Sequence, residues 1–293
     1  MSYQLIKQIR GDSTLRGSFM DLAVKVFDLS FKNWYEKGYW TDKYIPYVIS
    51  QSGRVVANAS VNIIDAAWQG EPRRYIQLGT VMTDPDFRNR GLSRVLIEAI
   101  LEDYKEQCDA VYLFANQSVL GFYPKFGFVK AYEHQYFLHG VNQSNALNLR
   151  FKRLDMDKQA DRERLKLCYS KSNPYSALSV KDNYGLLMFY CGQFMKNNVY
   201  YSELINSACI AEHHGSDLFC FDIFGGYDCS LNDMLIELAA AETERVILGF
   251  TPINPEGFSC SRLNDTENTL FILKGKENLF SNHKAMFPLL SHA

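Results

Sequence analysis

The sequence predicts an α+β protein made of two tandem units with similar element order. Three observations lead there. Strand-like and helix-like segments alternate along the first 140 residues. A polar, glycine-containing stretch, HGVNQSN (His139–Asn145), follows them. After it a similar order of elements returns, without residue-level repetition. The expected boundaries are 1–140 and 146–293.

Tyr3–Ile9 reads as a strand, and Asp12 or Ser13 can cap a helix carrying Leu15, Phe19, Leu22, Ala23 and Val26 at helical spacing. YIPYVIS, RVVANASVNII and YIQLGTVMT are three successive strands, separated by turns at Ser52-Gly53 and in WQGEPRR. An amphipathic helix follows Arg90-Gly91, with Leu92, Val95, Leu96, Ala99 and Ile100 on its apolar face. AVYLFA is a short strand, a helix is expected over Gln117–Lys125, and FVKAYEHQYFL closes the first unit. In the second unit ALNLRFKRL is a strand and DKQADRERLKLCYSK a helix capped by Asp157. Strands with a turn at His213–Ser216 follow, then a helix capped by Ser230, then the strands RVILGF and TLFILKG.

Composition narrows the function. The chain has 293 residues, 47% hydrophobic, which is ample for a buried core. Lys and Arg number 31 against 33 Asp and Glu, so no basic excess points to nucleic acid. The seven cysteines are widely spaced with no CxxC pair, which argues against a metal centre and for reduced thiols in a cytoplasmic protein. No apolar stretch reaches the roughly 20 residues needed to span a bilayer, and the N-terminus does not read as a secretory signal.

The densest chemistry lies in DPDFRNRGLSRVLIEAIL (Asp84–Leu101). A helix start presents backbone N–H groups without partners and the positive end of the dipole. Adding Arg88, Asn89 and Arg90 there makes sense if an anion fills the space between them. Gly91 permits close backbone approach, and Ser93 is small. No GxxxxGK[ST] and no GxGxxG occurs, so neither a triphosphate P-loop nor a dinucleotide fingerprint is present.

The order strand, Arg88-x-x-Gly91-x-Ser93, helix resembles the pyrophosphate loop of the GNAT (GCN5-related) acyltransferase superfamily, with Ser93 departing at the last small position. AVYLFANQSVLGFYPKFGF resembles that family's next strand and closing motif, placing Asn116, Tyr123, Gly127 and Phe128 at its positions. The resemblance covers about Tyr3–Leu138. The tandem arrangement is similar to the enhanced-intracellular-survival branch, which appends a second GNAT-like domain. This implies two units, each a mixed, mostly antiparallel sheet flanked by helices.

The resemblance further implies acetyl-CoA as cosubstrate and an amine of a small molecule or peptide as acceptor. By family position Val81, Met82 and Thr83 face the thioester and pantetheine. Arg88, Asn89, Arg90, Gly91, Leu92 and Ser93 hold the pyrophosphate. Asn116 bonds the pantetheine, caps the following helix, or does both. Tyr123 is either the general acid for the departing thiolate or a packing tyrosine. The base stays open among Glu36, Asp65, Glu133, His134 and a water chain. The aromatics of NWYEKGYW (Asn33–Trp40) belong to the acceptor pocket or to the core.

The second unit has glycines but no arginine before its helix, and Asp228 there is negative. It is expected to carry no cofactor and to wall the acceptor site or mediate self-association. A non-catalytic acyl-CoA-binding sensor is the alternative to the enzyme. The end of the sequence, AMFPLLSHA, is unusually apolar and is expected to dock between the units. By the resemblance, the Ala293 carboxylate would then lie near the reaction centre.

Overall fold

The computed structural model describes residues 2–141, 146–226, 229–265 and 267–293. It is an α+β molecule with two mixed sheets. Strand β1 (Gln4–Lys7) leads to helix α1 (Ser13–Phe27), capped by Asp12, whose carboxylate accepts from the Thr14 and Leu15 N–H groups. After the short α2 (Lys32–Glu36), strands β2 (Tyr44–Gln51), β3 (Arg54–Trp68) and β4 (Glu71–Thr83) form an antiparallel meander. Its hairpins turn on Ser52-Gly53 and Gln69-Gly70, all four with positive φ, the geometry that suits right-handed strand twist. Helix α3 (Leu92–Tyr104) crosses over, and β5 (Ala110–Ala115) returns parallel to β4.

Beyond β5 the chain departs from expectation. In place of a helix over Gln117–Lys125 there are two 3-10 turns, Gln117–Val119 and Tyr123–Phe126. Gly121 weakens the middle, and Pro124 has no N–H to give the Leu120 carbonyl. The long closing strand breaks into β6 (Phe128–Lys130) and β7 (His134–His139), which belong to different sheets.

The rest of the chain forms β8 (Lys152–Arg153), α4 (Gln159–Tyr169), β9 (Leu178–Lys181) and α5 (Tyr184–Phe189), the last continuing as a π-helical turn to Phe194. Then come β10 (Val199–Ser202), β11 (Ser207–His214), β12 (Asp217–Gly225), α6 (Leu231–Leu238), β13 (Arg245–Leu248), β14 (Ser259–Arg262) and β15 (Thr269–Leu273). The strand expected over ALNLRFKRL shrinks to β8 because Asn148 and Arg150 adopt positive φ. Asp157 does not cap α4: Lys158 occupies the N-cap, and the Asp157 carboxylate instead meets Lys196 at 2.9 Å and Lys37 at 3.8 Å.

The first sheet runs β1-β2-β3-β4-β5-β15-β6, with β9 against the far end of β3; the second runs β14-β7-β13-β12-β11-β10-β8. Each contains a meander, a helical crossover and a parallel strand: β2-β3-β4-α3-β5 and β10-β11-β12-α6-β13. The two halves exchange strands. β15, from late in the chain, lies between β5 and β6, while β7 lies between β13 and β14. The sheets therefore do not part at the 139–145 stretch, of which 142–145 are outside the described residues.

Helix α3 buries Leu92, Leu96, Ile97 and Ile100 against one face of the first sheet. The opposite face is covered by the end of the chain. Phe287 stacks on Tyr112 with ring centroids 3.9 Å apart, and Leu290 packs with second-half residues. The tail thus docks between the halves, where burying Met286, Phe287 and Leu290 stabilises it by roughly 1.5–3 kcal/mol per side chain. Trp34 and Trp40 of NWYEKGYW are core residues, with indole N–H groups donating to the Gly185 and Tyr44 carbonyls. No disulfide joins any of the seven cysteines among the described residues. Among the described residues no helix is long and apolar enough to cross a membrane.

Candidate active site

Strand β4 carries a bulge. Asn58 pairs with Met82 and Ser60 with Gly79, so Thr80 and Val81 together oppose Ala59. β4 pairs with β5 only from Tyr75 to Leu78, while β5 remains paired with β15 as far as Ala115. The two parallel strands separate beyond that point. A cavity of about 760 Å3 occupies the split.

The structure brings the expected residues to this one cavity. Val81, Met82 and Thr83 form one wall, and Asn116 stands on the other. Arg88, Asn89, Arg90, Gly91, Leu92 and Ser93 close it from the start of α3, and Tyr123 also lines it. No side chain caps α3, whose N-cap is Gly91 at φ +74°. Nothing lies within 4 Å of where a Gly91 Cβ would stand. The first-turn N–H groups thus face open space, with the dipole's positive end behind them.

The charges around the loop are arranged to keep that space positive. Arg90 is braced by Tyr3 Oη at 3.1 Å and by the Asp86 carbonyl at 2.9 Å. The Arg88 side chain has no ion pair or hydrogen bond among the described residues. The buried Asp84 lies at the root of the loop, paired with Lys25 at 2.8 Å and with Arg54. Burial opposes its ionisation, but Lys25, the Asp86 N–H and Arg54 outweigh that and hold its carboxyl below the usual range. Ser93, the departure from the family pattern, shares a hydrogen bond with Thr83 Oγ1 at 3.0 Å.

Asn116 caps the first 3-10 turn, its Oδ1 accepting from the Ser118 N–H at 3.1 Å and hydroxyl at 2.6 Å. Its amide donors stay free of protein partners among the described residues, so capping and ligand binding are compatible. Tyr123 is 5% exposed, and its hydroxyl has no hydrogen bond among the described residues. Burial pushes its pKa up to about 12, so the phenol stays protonated near neutrality.

Ala293 also reaches the cavity. A Cβ at Gly79 would lie 2.3 Å from the Ala293 oxygen, so only glycine accommodates the docked end. The preceding His292 stacks on Phe114 at 3.9 Å, and its carbonyl accepts from Tyr190 Oη at 2.6 Å. Burial depresses its imidazole to about 4, so it is neutral there.

The side-chain base candidates lie elsewhere. Glu36 pairs with Lys32 on α2. Asp65 is held by Arg74 at 2.8 Å and by Lys43. Glu133 accepts from the Phe287 N–H at 2.7 Å, and the neighbouring His134 gives its backbone N–H to the Ala285 carbonyl at 2.8 Å. None of the four lines the cavity. Sequence reasoning missed Arg94, Phe27 and Glu267, which do. Arg94 was within reach, one residue past the motif on the first turn of α3; Phe27 and Glu267 arrive through tertiary packing.

In the second sheet β12 pairs with β13 only from Asp217 to Cys220, and the end of the chain packs beyond that point, the Leu289 N–H donating to the Gly249 carbonyl at 2.9 Å. Ser230 and Asp233 form a reciprocal capping box on α6, so the Asp233 N–H is taken by Ser230 Oγ and an acid sits in the first turn. Asp228, the negative residue before this helix, is outside the described residues. Gly249, just after β13, lies so close to β12 that a Cβ would come 2.6 Å from the Phe221 carbonyl oxygen, and its N–H donates to Cys220 O at 2.8 Å. A groove of about 940 Å3 between the α2 loop, α4 and α5 is larger than the split. Its charges are mainly solvated lysines, and of the residues expected at a site it is lined by Tyr39, one of the aromatics of NWYEKGYW.

Residues 17–128 match the family model described as the acetyltransferase (GNAT) family. Three solved structures share the fold at low identity. A probable N-acyltransferase from Enterococcus faecalis is 12% identical with a TM-score of 0.61, over 93% of this chain and 72% of that one. A GCN5-related N-acetyltransferase from Kribbella flavida is 13% identical with a TM-score of 0.57, over 92% and 71%. Eis1 from Mycobacterium abscessus is 14% identical with a TM-score of 0.56, over 92% and 72%. No curated protein matches the sequence.

Proposed function

We propose, from the premise that the chain belongs through residues 17–128 to the acetyltransferase (GNAT) family, that it moves an acetyl group from acetyl-CoA to the amine of a small molecule or peptide. The observation that carries this reading is the shared cavity: an uncapped, arginine-flanked helix start and a partnerless tyrosine hydroxyl line the same split. The residues present fit the cosubstrate. The α3 N–H groups, Arg88 and Arg90 would hold its diphosphate, and the Asn116 amide its pantetheine arm. When bound, it supplies an acetyl carbon already activated as a thioester.

Transfer forms a C–N bond and breaks the C–S bond, with one proton leaving nitrogen and one reaching sulfur. In this proposal the β4 edge at Val81–Thr83, unpaired on its β5 side, offers backbone donors to the carbonyl oxygen as charge develops. Tyr123 gives its proton to the departing sulfur. A water chain takes the proton from the attacking nitrogen, since none of Glu36, Asp65, Glu133 and His134 lines the cavity. The catalytic unit is built on 1–140. The second unit, 146–293, carries no cosubstrate of its own and walls the acceptor side through its tail, while contributing β15 to the first sheet.

The test is acetyl-CoA-dependent release of free CoA with a broad panel of amines, on wild type and Tyr123→Phe. Wild type is expected to turn over with at least one amine. Tyr123→Phe is expected to keep acetyl-CoA affinity and lose on the order of 10²-fold in kcat, the usual scale for a lost proton donor. Tight acetyl-CoA binding without turnover on any amine would replace the enzyme with a cofactor sensor. Unchanged kcat in Tyr123→Phe, with chemistry rate-limiting, would return the tyrosine to packing.

A further inference from the structure

Thr80, in the β4 bulge, has φ +49°. Glycine adopts such angles freely, whereas a β-branched residue does so only where its surroundings over-determine it. Here four hydrogen bonds from β2 and β3 hold it. Asn58 Nδ2 donates to the Thr80 carbonyl at 2.7 Å and to Ser60 Oγ at 2.9 Å. Ser60 Oγ donates to Tyr44 Oη at 2.9 Å, and Tyr44 Oη donates to Thr80 Oγ1 at 3.0 Å. Asn58 and Ser60 are fully buried, and Tyr44 is nearly so. The ring is directional, and the Thr80 hydroxyl proton is the one donor not used within it. Thr80 itself lines the cavity.

We propose that Asn58, Ser60 and Tyr44 are positioning residues that clamp Thr80 in its left-handed conformation and thereby keep β4 turned away from β5 at the thioester site. The physical basis is register. Without the bulge, residues beyond Thr80 would move by one position and present their opposite faces. β4 would then be free to continue pairing with β5 beyond Leu78, closing the split. The inference rests on the acetyltransferase reading, which assigns the split to the thioester.

Because the clamp offsets a backbone preference, glycine at position 80 should make it unnecessary. The experiment compares Asn58→Ala, Tyr44→Phe and each combined with Thr80→Gly, reading acetyl-CoA affinity by calorimetry, kcat and KM by CoA release, and melting temperature. Asn58→Ala is expected to lower kcat/KM for acetyl-CoA by at least about tenfold, the scale of a displaced reacting group. Tyr44→Phe, which removes one link and keeps the ring, should lose less. Adding Thr80→Gly should restore most of the activity in both backgrounds, including where melting temperature does not recover. Wild-type kinetics in Asn58→Ala and Tyr44→Phe, or no rescue by Thr80→Gly, would overturn the clamp. If Asn58→Ala does not fold, the Tyr44→Phe pair decides alone. Failure of the acetyltransferase reading would appear separately, as wild type that does not bind acetyl-CoA.

Discussion

Glu133 places a carboxyl group in the interior, where the Phe287 N–H donates to it at 2.7 Å. Burial pushes its pKa up to about 8, with the nearby Asp265 charge adding to the rise and the Phe287 N–H opposing it. A folded pKa above the unfolded one means the group's contribution to stability is full below the unfolded value and is lost as pH rises through about 8. Asp222, raised by burial to about 7, acts in the same direction. Wild type should therefore lose melting temperature as pH rises from about 5 to about 8. Glu133→Gln should flatten the upper part of that decline and leave the part due to Asp222. Parallel pH profiles for the two proteins would refute this. At this scale the sequence was most legible where function is local. Arg88, Gly91, Asn116 and Tyr123 sit in short motifs whose spacing alone suggests their roles. The Thr80 clamp and the Gly79 contact were not legible, because they depend on strand register and on a tail more than 200 residues away.

Among the elements, the end of the chain could be anticipated. Met286, Phe287, Leu289 and Leu290 are too apolar for a frayed terminus, and three of them are buried. Removing Met286–Ala293 should lower the melting temperature by several degrees, since Phe287 leaves its stack on Tyr112. After β5 the expected helix gives way to two 3-10 turns, and the residues responsible, Gly121 and Pro124, are themselves legible in the sequence. The cap of α4 was misassigned because Asp157 meets Lys196 and Lys37 instead, and only the folded chain brings those lysines near.

Over the whole molecule, the tandem order of elements was legible and the strand exchange was not. Apolar alternation marks Thr269–Leu273 and His134–His139 as strands but carries no information on which sheet receives them. With β15 between β5 and β6, and β7 between β13 and β14, neither half completes its sheet alone. That interdependence gives the second half a structural role and leaves one open split for two similar crossovers. In the first sheet the helix start is uncapped and the strands diverge. In the second, a capping box takes up the helix start and the end of the chain packs at Gly249. The central claim is thus one cosubstrate site per chain, at the start of α3. Calorimetric titration with acetyl-CoA, on wild type and on Gly91→Glu, tests it most directly. The expected result is one site per chain in wild type and no measurable binding in Gly91→Glu, where bulk and negative charge meet the diphosphate position. Two equivalent sites, or a Gly91→Glu protein that binds as wild type does, would contradict it.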